Sequence, residues 1–161
     1  MVELEHKIVD YRLLDAVRNG DIREVAKLVK QGANPNMHNE FGTTPAHEAA
    51  KYGYADIISV LAKLGADFNK QDLDGHTPSH EAARYGHAVC INALKKLGAD
   101  LNKVDIHGNT PLHKAARKGY GSVVIALKNA GVDCGVKDDD GNTAYDVAKN
   151  RGHVEILPLL C

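Results

Sequence analysis

The sequence predicts an all-α fold with short β-hairpin loops, a solenoid of five stacked helix-turn-helix units. Three observations carry that expectation. The stretch "TPAHEAAKYG" at 44–53 returns as "TPSHEAARYG" at 77–86 and "TPLHKAARKG" at 110–119, and fades to "TAYDVAKNRG" at 143–152. The spacing is constant: Gly42, Gly75, Gly108 and Gly141 stand 33 residues apart, as do Gly53, Gly86, Gly119 and Gly152. Apolar residues recur with the same period, Val25, Leu28 and Val29 corresponding to Ile57, Ile58 and Leu61, then Cys90, Ile91 and Leu94, then Val123, Val124 and Leu127. Such a period marks a repeat architecture, in which a helix pair buries its apolar stripe only against its neighbours.

The elements follow from local chemistry. The opening "MVELEHKIVD" either extends the first helix, since Leu4 and Ile8 are one turn apart, or frays. The first unit, "YRLLDAVRNGD", lacks the Thr-Pro start. In the next, Thr44 is suited to accept a backbone N–H, and Pro45 at the first helical position loses only an unpaired donor. Ala49 and Ala50 allow a close helix neighbour, Gly53 ends the helix, and Ile57, Ile58, Leu61 and Leu64 mark a second one. Gly65 stops it, and "GADFNKQDLDGH" has turn-forming density, so a projecting hairpin leads to Thr77 and Pro78. Ala46 and Ser79, in register with Leu112, predict a looser first-helix layer mid-stack. Pro158 predicts a last helix that is kinked or starts late, while Ile156, Leu157 and Leu160 match core positions and Leu159 is the unexpected residue of "ILPLLC". The reading is one domain over 1–161, with an N-terminal capping repeat at 10–38, internal repeats at 39–71, 72–104 and 105–137, and a C-terminal capping repeat at 138–161.

Composition narrows the function. With 20 basic and 21 acidic residues and a net charge of -1, the chain lacks the basic excess that nucleic acid or an anionic membrane favours. No apolar run approaches the roughly 18 residues of a membrane span, and the charged start is unlike a secretory signal. A soluble, cytoplasmic or alternatively nuclear, monomer is the expectation. Cys90, Cys134 and Cys161, odd in number and widely spaced, argue against a disulfide framework or a zinc site. Cys90 and Cys134 stand in register with aliphatic or aromatic positions and read as small core residues.

Nine histidines invite a metal or catalytic site. The ladder His47, His80, His113 is excluded from chelation, because a repeat width of about 10 Å cannot converge on bonds of about 2 Å. His76 and His107 fall near hairpin tips and read as solvated or partner-facing. There is no GxSxG, GxxxxGK or HExxH, and Asp138, Asp139 and Asp140 lack the alternation of a calcium loop. No cofactor, no metal and no catalytic residue is expected, and the chain is not read as an enzyme.

The motifs "TPLHKAARKG", "GADFN", "GADLN" and "DIHG" resemble those of the ankyrin repeat family, over about residue 10 to the end. The resemblance implies helix pairs stacked in an L-shaped section, with tips and first helices lining a concave face that binds a protein. It also implies that His47, His80 and His113 buttress the loops by hydrogen bonding. In this family loop asparagines are acceptors for an oxygen-sensing asparaginyl hydroxylase, an iron and 2-oxoglutarate enzyme. The resemblance therefore marks Asn36, Asn69 and Asn102 for that alternative, although asparagine suits the turn by itself.

Residues that vary while the frame repeats are free for recognition. At the tips these include Phe41, Leu73, Asp74, His76, Ile106 and His107, three of them large apolar groups in otherwise polar turns. On the first helices they are Lys51 and Tyr52, Arg84 and Tyr85, Arg117 and Lys118, a basic ladder with interleaved tyrosines. Arginine and tyrosine are enriched at binding hot spots, so the expected partner is a protein with an acidic and apolar surface. Nucleic-acid binding through Lys51, Arg84 and Arg117 is the weaker alternative, opposed by the near-neutral charge and the acidic tip at 138–140.

Overall fold

The computed structural model describes residues 1–160, and the described elements are helices, with no strand among them. α1 (Val2–Arg18) and α2 (Ile22–Lys30) form the first pair, followed by α3 (Pro45–Tyr52) with α4 (Ala55–Lys63), α5 (Pro78–Tyr85) with α6 (Ala88–Lys96), and α7 (Pro111–Lys118) with α8 (Gly121–Asn129). α9 (Ala144–Asn150) pairs with a 3-10 helix (Val154–Leu159). The first helices pack in the order α1, α3, α5, α7, α9, and the second helices stack behind them as α2, α4, α6, α8 and the 3-10 helix. One continuous core runs between the layers, from Leu13 through Ile57, Ile91 and Val124 to Leu160. The opening ten residues join α1, with Leu4 and Ile8 exposed.

Each first helix starts on the chemistry that the Thr-Pro motif announces. Thr44, Thr77 and Thr110 accept the N–H of His47, His80 and His113 on their hydroxyls, while each imidazole Nδ1 accepts the threonine N–H in return. This reciprocal box satisfies two donors that a helix start leaves unpaired. Asp146 does the same for Thr143. The other ring nitrogen, Nε2, donates to a carbonyl of the next hairpin: His47 to His76 at 2.8 Å, His80 to Asn109 at 2.9 Å and His113 to Asn142 at 3.0 Å. The histidine ladder therefore joins neighbouring repeats.

Three expectations change. The hairpins have no strand ladder among the described residues; two backbone bonds close each one, Asp72 N–H to the His76 carbonyl at 2.9 Å with Gly75 N–H to the Asp72 carbonyl at 3.0 Å, and Asp105 N–H to the Asn109 carbonyl at 2.9 Å with Gly108 N–H to the Asp105 carbonyl at 3.0 Å. The last helix is neither late nor simply kinked. It begins at Val154, in register with Ala55, Ala88 and Gly121, but winds as a 3-10 helix around Pro158. Proline has no N–H to give to an α-helical ladder. Leu159 is half-buried against the core. Finally, Cys90 is the buried free thiol, pushed up to about 11 by burial, whereas Cys134 is disulfide-bonded, against the expectation drawn from cysteine spacing. Ala46, Ser79 and Leu112 are all buried in the first-helix layer, and the Ser79 hydroxyl has no hydrogen-bond partner among the described residues.

Candidate functional site

The tips are built by one side chain each. Asp72 Oδ1 accepts the N–H groups of Asp74 and His76 at 3.0 and 2.8 Å, and Asp105 Oδ1 accepts those of His107 and Asn109, both at 2.9 Å. Asn39 and Asp138 close their own turns in the same way. A carboxylate that accepts two backbone donors folds the turn tightly, which pushes the next residues outward. Phe41, Leu73 and Ile106 are accordingly 62%, 71% and 57% exposed. Successive tips are then linked, Leu73 N–H to the Phe41 carbonyl at 3.0 Å and Ile106 N–H to the Asp74 carbonyl at 3.1 Å.

Tips and first helices enclose a groove of about 500 Å³ between the N-terminal cap and the two repeats that follow it. Phe41, Lys51, Leu73, Asp74, His76, Arg84 and Tyr85, all named from the sequence, line it. A second concavity of about 340 Å³ continues the groove, lined by Asp74, His76, Arg84, His107, Arg117 and Lys118 together with Lys114. Tyr52 and Ile106 line neither and lie exposed beside them. Cations and rings alternate along the first helices. The Lys51 ammonium sits 5.5 Å from the Tyr52 ring centroid and 5.8 Å from that of Tyr85, and the Arg84 guanidinium 5.7 Å from Tyr85. Such contacts hold long side chains in place on a surface.

Two of the expected partner-facing residues are placed differently. His76 is not a solvated tip group; it is buried, with Nδ1 at 3.6 Å from Asp72 Oδ2 and 3.7 Å from Glu81 Oε1, and Nε2 at 3.4 Å from Asp105 Oδ2. Its imidazole can turn inward because hydrogen bonds from the turn leave the pocket behind it lined by carboxylates. Arg117 is half-buried and its Nη2 donates to Asn109 Oδ1 at 3.1 Å, so it is tied down where Lys118 is exposed. His107 remains exposed.

The floor of the groove is ionic. Arg18 of α1 grips Glu48 Oε1 with Nη2 at 2.8 Å and Nε at 3.0 Å, leaving Glu48 Oε2 buried without a hydrogen-bond partner among the described residues. Lys114 is paired with the buried carboxylate of Asp105. Burial alone would raise the Asp105 pKa, but Lys114 and the N–H groups of Asn109 and His107 hold it well below the usual carboxylate range. Burial pushes Glu81 up. The Asp72 carboxylate raises His76 against the opposing effect of burial. From the sequence, Glu48 and Glu81 read only as charges offsetting the basic ladder, and Arg18 and Lys114 were passed over, although one signal was present: Glu48, Glu81 and Lys114 occupy the same position in successive repeats, with a reversal of sign at the third.

Asn36, Asn69 and Asn102 lie in the loops behind the second helices. Their Oδ1 atoms accept the N–H of Asp67 at 2.6 Å, Asp100 at 2.8 Å and Asp133 at 2.9 Å, each one repeat further on. No helix among the described residues is long and apolar enough to cross a membrane.

The known proteins agree with this geometry. A family model described as ankyrin repeats in three copies matches residues 13–105, and one described as ankyrin repeats in many copies matches 94–148. Ankyrin repeat domain-containing protein 40 of Mus musculus is 44% identical over 57 residues, covering 35% of this chain and 16% of that protein. The protein of the same name from Homo sapiens gives the same values, 44% over 57 residues, 35% and 16%. The matching segment is thus a small part of those relatives. Capped helix pairs on a 33-residue period, linked tips and a model match across more than half of the sequence place this chain in the ankyrin repeat family.

Proposed function

We propose that the chain binds a protein partner along the groove formed by its hairpin tips and first helices. Ankyrin repeats are in general protein–protein interaction modules, and one observation ties that role to this face. Exposed apolar tips, Phe41 and Leu73, stand directly over a rim of Lys51, Arg84 and Tyr85 around a single concavity. Apolar area ringed by directional charge is the composition of a binding hot spot. The rim cations and the exposed Lys118 favour a partner that combines carboxylates with apolar side chains. The asparagine reading gains no support from the geometry, because the amides of Asn36, Asn69 and Asn102 hold the next loop.

The test is affinity capture from a lysate of the source cells with mass spectrometry, comparing the intact chain with a Lys51→Glu, Arg84→Glu, Lys118→Glu variant whose fold is checked by circular dichroism. A protein retained by the first and lost by the second supports the groove. Identical partners for both would remove it. Capture of nucleic acid, with affinity falling steeply in salt, would replace the protein reading.

A further inference from the structure

We propose that Asp72, His76 and Glu81 form a binding site for one divalent first-row metal ion, zinc(II) by the character of its ligands, in the floor of the groove. It goes beyond the protein-binding reading and does not depend on it.

Comparing the repeats with one another isolates the site. Where the second repeat has Glu81, the first has Glu48, which Arg18 neutralises, and the third has Lys114, which pairs with its own Asp105. The fourth has Val147. In the second repeat alone, two carboxylates of one unit, Asp72 and Glu81, face each other with no lysine or arginine bonded to either among the described residues, and His76 lies between them. Asp105 and Lys114 cancel. What remains are two carboxylates without a bonded cation, with Arg84 and Lys51 acting on Glu81 only from the rim; a divalent ion neutralises both and a protonated imidazole one.

The geometry fits the same ion. Tetrahedral zinc with bonds of about 2.0–2.1 Å separates its ligand atoms by roughly 3.3 Å. His76 Nδ1 lies 3.6 Å from Asp72 Oδ2 and 3.7 Å from Glu81 Oε1, and the three atoms are all within 4.8 Å of one another. The two contacts of His76 need to close by a few tenths of an ångström, and Asp72 and Glu81 must draw together from within 4.8 Å on binding. Asp72 spends Oδ1 on the turn, which leaves Oδ2 for the ion. Independent support comes from behind the ring. The Asp105 side chain is fully buried, and its Oδ2, which pairs with Lys114, also faces His76 Nε2 at 3.4 Å. A carboxylate on the far nitrogen is the usual outer support of a metal-binding histidine, setting its tautomer and orientation. One imidazole and two carboxylates suit zinc better than magnesium or calcium, which take oxygen ligands. All three residues line the groove, so a fourth ligand, water or a partner's side chain, enters from that side.

The test titrates the full chain, stripped with chelator, with zinc chloride by calorimetry at pH 7.5, and repeats it with cobalt(II) to read tetrahedral coordination from visible absorption. One site per chain is expected, with at least a ten-fold loss of affinity in Glu81→Gln and His76→Gln, a loss of about 10–100-fold in Asp105→Asn, and none in His107→Gln. Glu81→Lys installs the charge that the third repeat carries at this position, so it should stay folded and lose the site. Zinc should raise the thermal midpoint of the native chain and leave that of Glu81→Lys unchanged. If His76→Gln fails to fold, the two Glu81 variants decide. Absence of one-to-one binding in the native chain, or undiminished binding in the Glu81 variants, overturns the proposal.

Discussion

Nε2 of His80 donates to the carbonyl of Asn109 at 2.9 Å, so the capping residue of one repeat closes on the hairpin of the next. Its Nδ1 meanwhile accepts from the Thr77 N–H at 3.1 Å. Only a neutral ring protonated on Nε2 makes both bonds.

Stability should therefore fall with acid well above the carboxylate range. Burial pushes the His80 pKa down to about 4 and also lowers His47 and His113. A histidine with a lowered folded pKa binds protons more readily when unfolded. Its contribution is present above about 6.5 and disappears as pH falls toward the folded value, by roughly 2 kcal/mol at pH 5 for His80 alone. His76, raised by Asp72, contributes fully below 6.5 and adds no slope there. Glu81, raised by burial, opposes part of the loss. Urea midpoints at pH 7 and pH 5 check this; equal midpoints would refute it.

Replacing His80 by alanine should destabilise the chain by about 2–4 kcal/mol, because it strands the Thr77 N–H and the Asn109 carbonyl in a buried setting and leaves a cavity. Chemical denaturation of H80A against the native chain measures it. A loss below about 1 kcal/mol would mean that the ladder is not a structural tie.

The Ser79 hydroxyl is buried without a partner, in register with Leu112. An unsatisfied buried hydroxyl is unfavourable, so Ser79→Ala should be neutral or stabilising by about 1 kcal/mol. A drop in the thermal midpoint would show that this oxygen is hydrogen-bonded in the folded chain.

Gly75 and Gly65 separate two effects of one residue type. Both have positive φ, +77° and +85°, but a Cβ on Gly75 would lie 2.9 Å from the Ile106 nitrogen and 3.0 Å from Asp105 Cα, whereas one on Gly65 meets nothing within 4 Å. Gly65→Ala should cost about 1 kcal/mol from backbone conformation alone, and Gly75→Ala clearly more, because it forces neighbouring tips apart. Equal losses would contradict this account of tip packing.

The repeat was legible because the same physics is written several times: Thr44, Thr77 and Thr110 show their capping role by recurrence, and Ile57, Ile91 and Val124 show the core. The groove rim was legible for the converse reason, since Phe41, Leu73 and Lys51 vary without disturbing the frame. The floor was not. Whether His76 points to water or inward depends on Asp105, 29 residues away, and on a turn that orients Asp72, and no local pattern records that convergence. Arg117 was misplaced for a similar reason, because its hold on Asn109 is a tertiary contact between two residues that both vary. Pro158 announced a disturbance, yet the type of helix that results depends on packing against α8.

The loop asparagines tie neighbouring units through equivalent atoms one repeat apart: Asn36 to Asp67, Asn69 to Asp100, Asn102 to Asp133. A duplicated 33-residue segment would bring the donors and acceptors of this asparagine series in the same order, keeping that series unbroken at the splice. The length of the molecule is thus an almost free variable in evolution, and a lineage can lengthen or shorten the recognition surface by whole units while each tip drifts independently in sequence.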